Sequence, residues 1–178
     1  MMGDTQLNAA EIKIGVVGLG LMGCSITTCL LMAGHPVVAV APVSVDLKFA
    51  LKRITKHLQR SRREKLVTRA PDFYLQHLHI TEDYTQLQGC ALVIECTLEN
   101  LDIKKTVYSK IEAVIDKNAL LASNTSAIPI SILQQQTTHP SRFFGLHWAE
   151  PSHTTRFLEV ICGNESDIAK GEYLYELS

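Results

Sequence analysis

Three glycines at a fixed spacing limit what this chain can become. Gly18, Gly20 and Gly23 form G-x-G-x-x-G directly after an apolar run, "IKIGVV", from Ile12 to Val17. In this order the first glycine permits a tight turn, the second leaves backbone open to a ligand, and the third lets a helix press against a strand. Met22, Ile26, Cys29, Leu30 and Ala33 follow at three- and four-residue steps, which predicts a helix over 21–33 with one apolar face. Gly34 supplies its stop. "PVVAVA", from Pro36 to Ala41, predicts a second strand, with Pro36 tolerable as its first residue. Such a unit binds phosphates, because free N–H groups and the positive dipole end at the helix start face the ligand. Gly18, Leu19, Gly20, Leu21, Met22 and Gly23 are therefore the candidate dinucleotide contacts.

The same alternation continues. Leu47, Ala50, Leu51, Ile54 and Leu58 mark the buried stripe of a long helix whose later part, "RSRREK", is basic. That run is either a solvated face or a contact with a phosphate-bearing ligand, through Arg60, Arg63 and Lys65. "HLHIT" predicts a short strand with His77 and His79 on one face; no further ligand stands nearby, so no metal is expected. "ALVIEC", "ALLAS", "RFFGLHW" and "FLEVIC" predict strands. Ile103, Val107, Ile111 and Val114 mark a helix, and "IPISILQQQ" is a short one with Pro129 near its start. The fold class is α/β: a Rossmann-type, doubly wound, mainly parallel sheet covered on both faces. The expected organisation is a polar tail over 1–10, a dinucleotide-binding domain over 11–165, and a helix beginning over 166–178, capped by Ser166. With the chain stopping at Ser178, a fragment is expected.

Composition narrows the class further. The 178 residues suffice for one sizeable core. A net charge of −1 gives no global field to recruit nucleic acid or an anionic membrane, so neither is an expected partner. No apolar run reaches the ~20 residues a spanning helix needs. The N-terminus lacks a basic-then-apolar signal pattern. The five cysteines, Cys24, Cys29, Cys90, Cys96 and Cys162, form no C-x-x-C pair and read as reduced, buried, small hydrophobes in a cytoplasmic protein.

The end of the second strand departs from the motif. A carboxylate there accepts hydrogen bonds from adenosine ribose hydroxyls. This chain has Ala41 followed by Pro42. Positions 41–46 hold no arginine for a 2′-phosphate, and Lys48 is the nearest base. The corner selects neither NAD nor NADP. A lost charge-assisted hydrogen bond costs about 1.5–3 kcal/mol, which weakens binding without forbidding it.

Three further segments carry a resemblance. "ECTLENLDIKK", "ASNTSAIPI" and "RFFGLHWAEP…RFLEVI", in this order after G-L-G-L-M-G, are similar to the NAD-binding domain of the L-3-hydroxyacyl-CoA dehydrogenases, over residues 11–178. The resemblance implies hydride transfer between a nicotinamide and a 3-hydroxyacyl-CoA, with NAD rather than NADP as cofactor. It implies His147 as catalytic base, Glu159 as the carboxylate that orients it, and Ser126 as the contact to the substrate's hydroxyl or keto oxygen, beside the cofactor. It implies Glu99 and Lys104 as cofactor contacts, and Arg60, Arg63 and Lys65 as candidates for the CoA phosphates. The residue types suit the chemistry: histidine titrates near working pH, and a carboxylate on its other ring nitrogen fixes the tautomer. The family also has a second, helical domain that supplies substrate contacts and most of a homodimer interface, and this sequence ends before it.

Some positions differ from the family. The aspartate after the second strand is Ala41. The family's H-F-F-N-P is "HWAEP", so a cofactor-contacting asparagine is Glu150, and Arg156 stands where a lysine is usual. At its CoA-contacting serine stands His57. These changes leave two other readings open: a dehydrogenase of another 3-hydroxy acid, carnitine- or sugar-acid-like, and a nucleotide-binding module without turnover.

Overall fold

The computed structural model describes residues 8–155 and 157–177. The expected tail lies mostly outside this range, as do Arg156 and Ser178. Seven strands form one sheet: β1 (Ile14–Val17), β2 (Val37–Val40), β3 (Leu78–Thr81), β4 (Leu92–Glu95), β5 (Leu120–Ser123), β6 (Phe143–Trp148) and β7 (Leu158–Cys162), in the order β3-β2-β1-β4-β5-β6-β7. Neighbours from β3 to β6 pair in parallel. β7 runs antiparallel on β6, at an edge. The sequence order of strands reverses at β1, and the crevice above such a reversal is where ligands of open α/β sheets bind.

The helices are α1 (Leu21–Ala33), α2 (Ser44–Arg63), α3 (Pro71–Leu75), α4 (Leu101–Glu112), α5 (Ile130–Gln134), α6 (Ser152–Thr155) and α7 (Ile168–Leu177). β1, β2, β4 and β5 are buried at every residue, because both faces of the sheet are covered. Ile14, Val16, Leu30, Ile54 and Leu146 belong to one core, with α1 and α2. Val17, Val93, Tyr108, Ile111 and Phe143 belong to the other, with α4.

Four expectations change. α1 is not amphipathic: Cys24, Ser25, Thr27, Thr28 and Leu31 are buried while Ala33 is exposed. It lies between the sheet, α2 and α6, so nearly its whole circumference is covered. In α2 the stripe runs Ala50, Ile54, Leu58 and Ser61, and Leu51 is exposed. At the start of α7, Asp167 and not Ser166 accepts the N–H of Lys170 (3.2 Å). Ser166 instead ties Phe143 O and Gly163 N together. Of the cysteines, Cys24 and Cys90 are buried as expected, but Cys162 is exposed on the edge strand.

Candidate active site

The glycine turn caps the crevice. Gly18 has φ 100°, and a Cβ there would lie 2.7 Å from Cys96 O. A Cβ on Gly23 would lie 1.7 Å from Gly18 O. Both positions are closed by packing. Gly20 is different: its Cβ would meet nothing within 4 Å, although it stands at the N-cap of α1. The fold does not need that glycine, and the space suits a pyrophosphate. No acidic residue occupies the first turn of α1 to repel one.

β4 ends in a buried carboxylate that sequence reading passed over. Glu95 is 0% exposed and accepts from Lys104 Nζ (2.9 and 3.0 Å), Ser123 Oγ (2.7 Å), Tyr108 Oη (3.1 Å) and Thr97 N (2.6 Å). Lys104, expected at the cofactor, is itself 1% exposed. It reaches the crevice through Glu99, 3.2 Å from its Nζ. Glu99 in turn accepts from the Thr125 hydroxyl and from the N–H groups of Ser126 (3.2 Å) and Ala127 (3.1 Å). Burial pushes the Glu99 carboxyl up, but the Thr125 hydrogen bond and the Lys104 charge outweigh it, and the net shift is down.

The S-N-T-S run now separates into roles. Ser123 bonds Glu95. Asn124 Oδ1 takes the Trp148 N–H (3.1 Å), fastening this loop to the end of β6. Thr125 bonds Glu99 and caps Ile128 N (3.0 Å). Ser126 is exposed. It lines a cavity of about 290 Å³ together with Ala127, Ile130, His147, Glu159 and Ile161.

His147 and Glu159 are paired residues on β6 and β7. Nδ1 lies 2.7 Å from Glu159 Oε2, with His147 29% and Glu159 50% exposed. A carboxylate only accepts, so Nδ1 carries the proton of this bond, and in the neutral imidazole Nε2 is the nitrogen free to accept one. The alternation of β7 places Glu159 on the histidine's side because the antiparallel register makes the two directly opposite.

The segment after β6 contains the residues that depart from the family pattern. Glu150 is exposed, and its carboxyl is pushed above the usual range, partial burial being the first cause, against a hydrogen bond from Ser25. Ser25 Oγ, inside α1, accepts Ser152 N (3.0 Å) and lies 3.0 Å from His153 Nδ1. The His153 ring stacks on His57 of α2, centroids 4.5 Å apart. Burial pushes His153 down to about 4, helped by the nearby charges of His57 and Arg60.

Arg60 and Arg63 line a second cavity, about 350 Å³, with Lys56 and His57. Arg60 also pairs with Glu64 at 2.7 Å. Lys65 lies beyond the end of α2, with φ 61°, and does not line that cavity. His77 and His79 are exposed, and among the described residues no group of three potential ligands is arranged to hold a metal. Among them, too, no helix is long and apolar enough to cross a membrane.

Residues 13–177 match the family model described as 3-hydroxyacyl-CoA dehydrogenase, NAD binding domain. The chain is 35% identical to 3-hydroxybutyryl-CoA dehydrogenase of Bradyrhizobium diazoefficiens, over 90% of this chain and 55% of that one. It is 33% identical to 5-formyl-3-hydroxy-2-methylpyridine 4-carboxylate 5-dehydrogenase of Mesorhizobium japonicum, over 86% of this chain and 50% of that one. The crystal structure of (S)-3-hydroxybutyryl-CoA dehydrogenase from Ralstonia eutropha superposes with a TM-score of 0.87 at 27% identity, covering 93% of this chain and 59% of that one. The chain spans about half the length of the curated relatives it matches.

Proposed function

Because the chain belongs to the 3-hydroxyacyl-CoA dehydrogenase family, we propose that it is the dinucleotide-binding part of an enzyme that interconverts a 3-hydroxyacyl-CoA and its 3-keto form. The observation that carries this reading is the 2.7 Å contact of His147 with Glu159, beside Ser126 in one cavity.

A bound nicotinamide supplies the acceptor or donor of hydride. The chain's own residues handle the rest. The glycine turn and the α1 N-terminus hold the phosphates. His147 Nε2 takes the hydroxyl proton as the alcohol is oxidised, and returns it when the ketone is reduced. Glu159 fixes the reactive tautomer and stabilises the imidazolium. Ser126 holds the substrate oxygen on which charge changes. Glu99, held by Lys104, sets the Ser126 loop from below, and the two carboxylates Glu95 and Glu99 around the one ammonium of Lys104 leave that wall with one net negative charge. Arg60 and Arg63 meet CoA phosphates on α2. The family resemblance makes NAD the first cofactor to test and a homodimer the expected assembly of the longer polypeptide.

The deciding experiment is a turnover assay of the full-length natural polypeptide with NAD and 3-hydroxybutyryl-CoA, beside a panel of free 3-hydroxy acids. Turnover restricted to the thioester supports the reading. Turnover of free acids alone replaces it with the second one, a dehydrogenase of another 3-hydroxy acid. Turnover of neither overturns both.

A further inference from the structure

The corner expected to meet the adenosine ribose lacks the usual carboxylate at position 41, and a cation from α2 reaches the glycine turn beside it. Ala41 is 1% exposed, and its N–H is taken by Thr81 O at 2.8 Å, so the position offers neither charge nor donor. Arg53, well inside α2, reaches back to the glycine turn. Its Nη1 donates to the carbonyl of Leu19 at 3.2 Å. Leu19 stands between Gly18 and Gly20, so the guanidinium is anchored to the loop with the open face.

Asp46, in the first turn of α2, lies 3.6 Å from the same nitrogen. That distance is a loose ion pair and not a close hydrogen bond. Both side chains meet solvent, at 42% for Arg53 and 26% for Asp46. The Phe49 ring lies 5.8 Å from the guanidinium carbon, on the exposed side of α2. Asp46 pairs with Arg53 alone among the ion pairs described, so the guanidinium has one loose counter-charge.

We propose that Arg53 determines what the ribose corner accepts and makes it receive a 2′-phosphate, so that NADPH binds no more weakly than NADH. This assignment rests on the dinucleotide reading above. Ribose hydroxyls are recognised by a carboxylate acceptor, which position 41 lacks. A phosphate is recognised by a planar fork of donors, and the Leu19 contact uses one of the five N–H donors of Arg53. That contact also holds the side chain in place, so less rotamer freedom is lost when a ligand arrives. The Asp46 pair is partly solvated and is worth little by itself. A doubly charged phosphate displaces it.

The test is calorimetric titration of this chain with 2′,5′-ADP and with 5′-AMP, then with NADPH and NADH. We expect 2′,5′-ADP to bind at least about ten-fold tighter than 5′-AMP, a difference of about 1.4 kcal/mol. Arg53→Gln should erase that difference and leave 5′-AMP within about two-fold. Arg53→Lys, which keeps the charge and loses the fork, should restore only part of it. Asp46→Asn should tighten 2′,5′-ADP alone. Equal affinity for the two probes in the native chain overturns the assignment. So does an Arg53→Gln variant that weakens both probes alike, since that marks a general phosphate or structural contact. If neither dinucleotide binds while 2′,5′-ADP does, the hydride-transfer reading falls and the Arg53 assignment stands.

Discussion

Nζ of Lys104 lies 2.9 Å from Oε2 of Glu95, and neither side chain reaches solvent. A buried charge pair of this kind is weak as a source of stability but expensive to break from one side. Lys104→Met should cost about 3–5 kcal/mol, because it leaves Glu95 without its counter-charge. Pairing it with Glu95→Gln should recover part of that. Urea unfolding of the single and double variants measures both. A single-variant loss under about 1 kcal/mol would show that the pair is not dry.

The glycine turn separates fold from ligand. Gly23→Ala should abolish cooperative unfolding, because its Cβ would sit 1.7 Å from a backbone oxygen. Gly20→Ala should fold, since its Cβ meets no atom within 4 Å and its φ of −69° suits any residue. The same methyl should weaken dinucleotide binding by about ten-fold or more, as it enters the pyrophosphate space. Melting curves and titrations of the two variants decide this. Unchanged affinity in the Gly20 variant would remove the turn from the binding site.

In the full-length polypeptide, His147→Gln should lower kcat by about 10²–10⁴-fold, the usual worth of a positioned general base. Glu159→Gln should lower it as well, since an amide no longer holds the imidazole as its Nδ1–H tautomer. KM should move far less in both. A loss confined to KM would assign the pair to binding and not to proton transfer.

Acid should loosen the joint between α1, α2 and α6. Burial is the first cause that lowers both His57 and His153, the latter to about 4. Unfolded imidazoles titrate near ~6.5. Below that value the unfolded chain binds more protons than the folded one, so stability is full above pH ~6.5 and drains away as pH falls toward about 4. Arg53, Lys56, Arg60 and Glu64 are the other charges that act on these rings. His153→Phe should flatten the fall in melting temperature between neutral and acidic pH. An unaltered slope would place the acid sensitivity elsewhere.

Much of the crevice was legible because local patterns dictate it. The glycine spacing fixes a turn, and apolar runs fix buried strands. The order of Ser126, His147 and Glu159 was enough to name a constellation, though not the reason the last two meet. That reason is strand direction: β7 reverses, and a run such as "FLEVIC" looks the same read either way. Glu95 escaped notice because a carboxylate closing an apolar strand shows no sign of the lysine nine residues on that neutralises it. Arg53 escaped because its partner lies 34 residues earlier, across the packing of α1 on α2. The single apolar face expected for α1 failed for the same cause, since a third neighbour, α6, covers the opposite side.

The antiparallel pairing of β6 with β7 has one more effect. His147 and Glu159 are held opposite each other by a backbone ladder that runs from Phe144 against Cys162 to Trp148 against Leu158. The stretch joining the two strands extends the ladder by one bond, Ala149 N to Phe157 O, and is then fastened elsewhere, Ser152 N to Ser25 Oγ of α1 and the His153 ring to His57 of α2. The His147–Glu159 pair and the α6 joint are thus held by separate sets of contacts, and a change at one leaves the other's contacts in place.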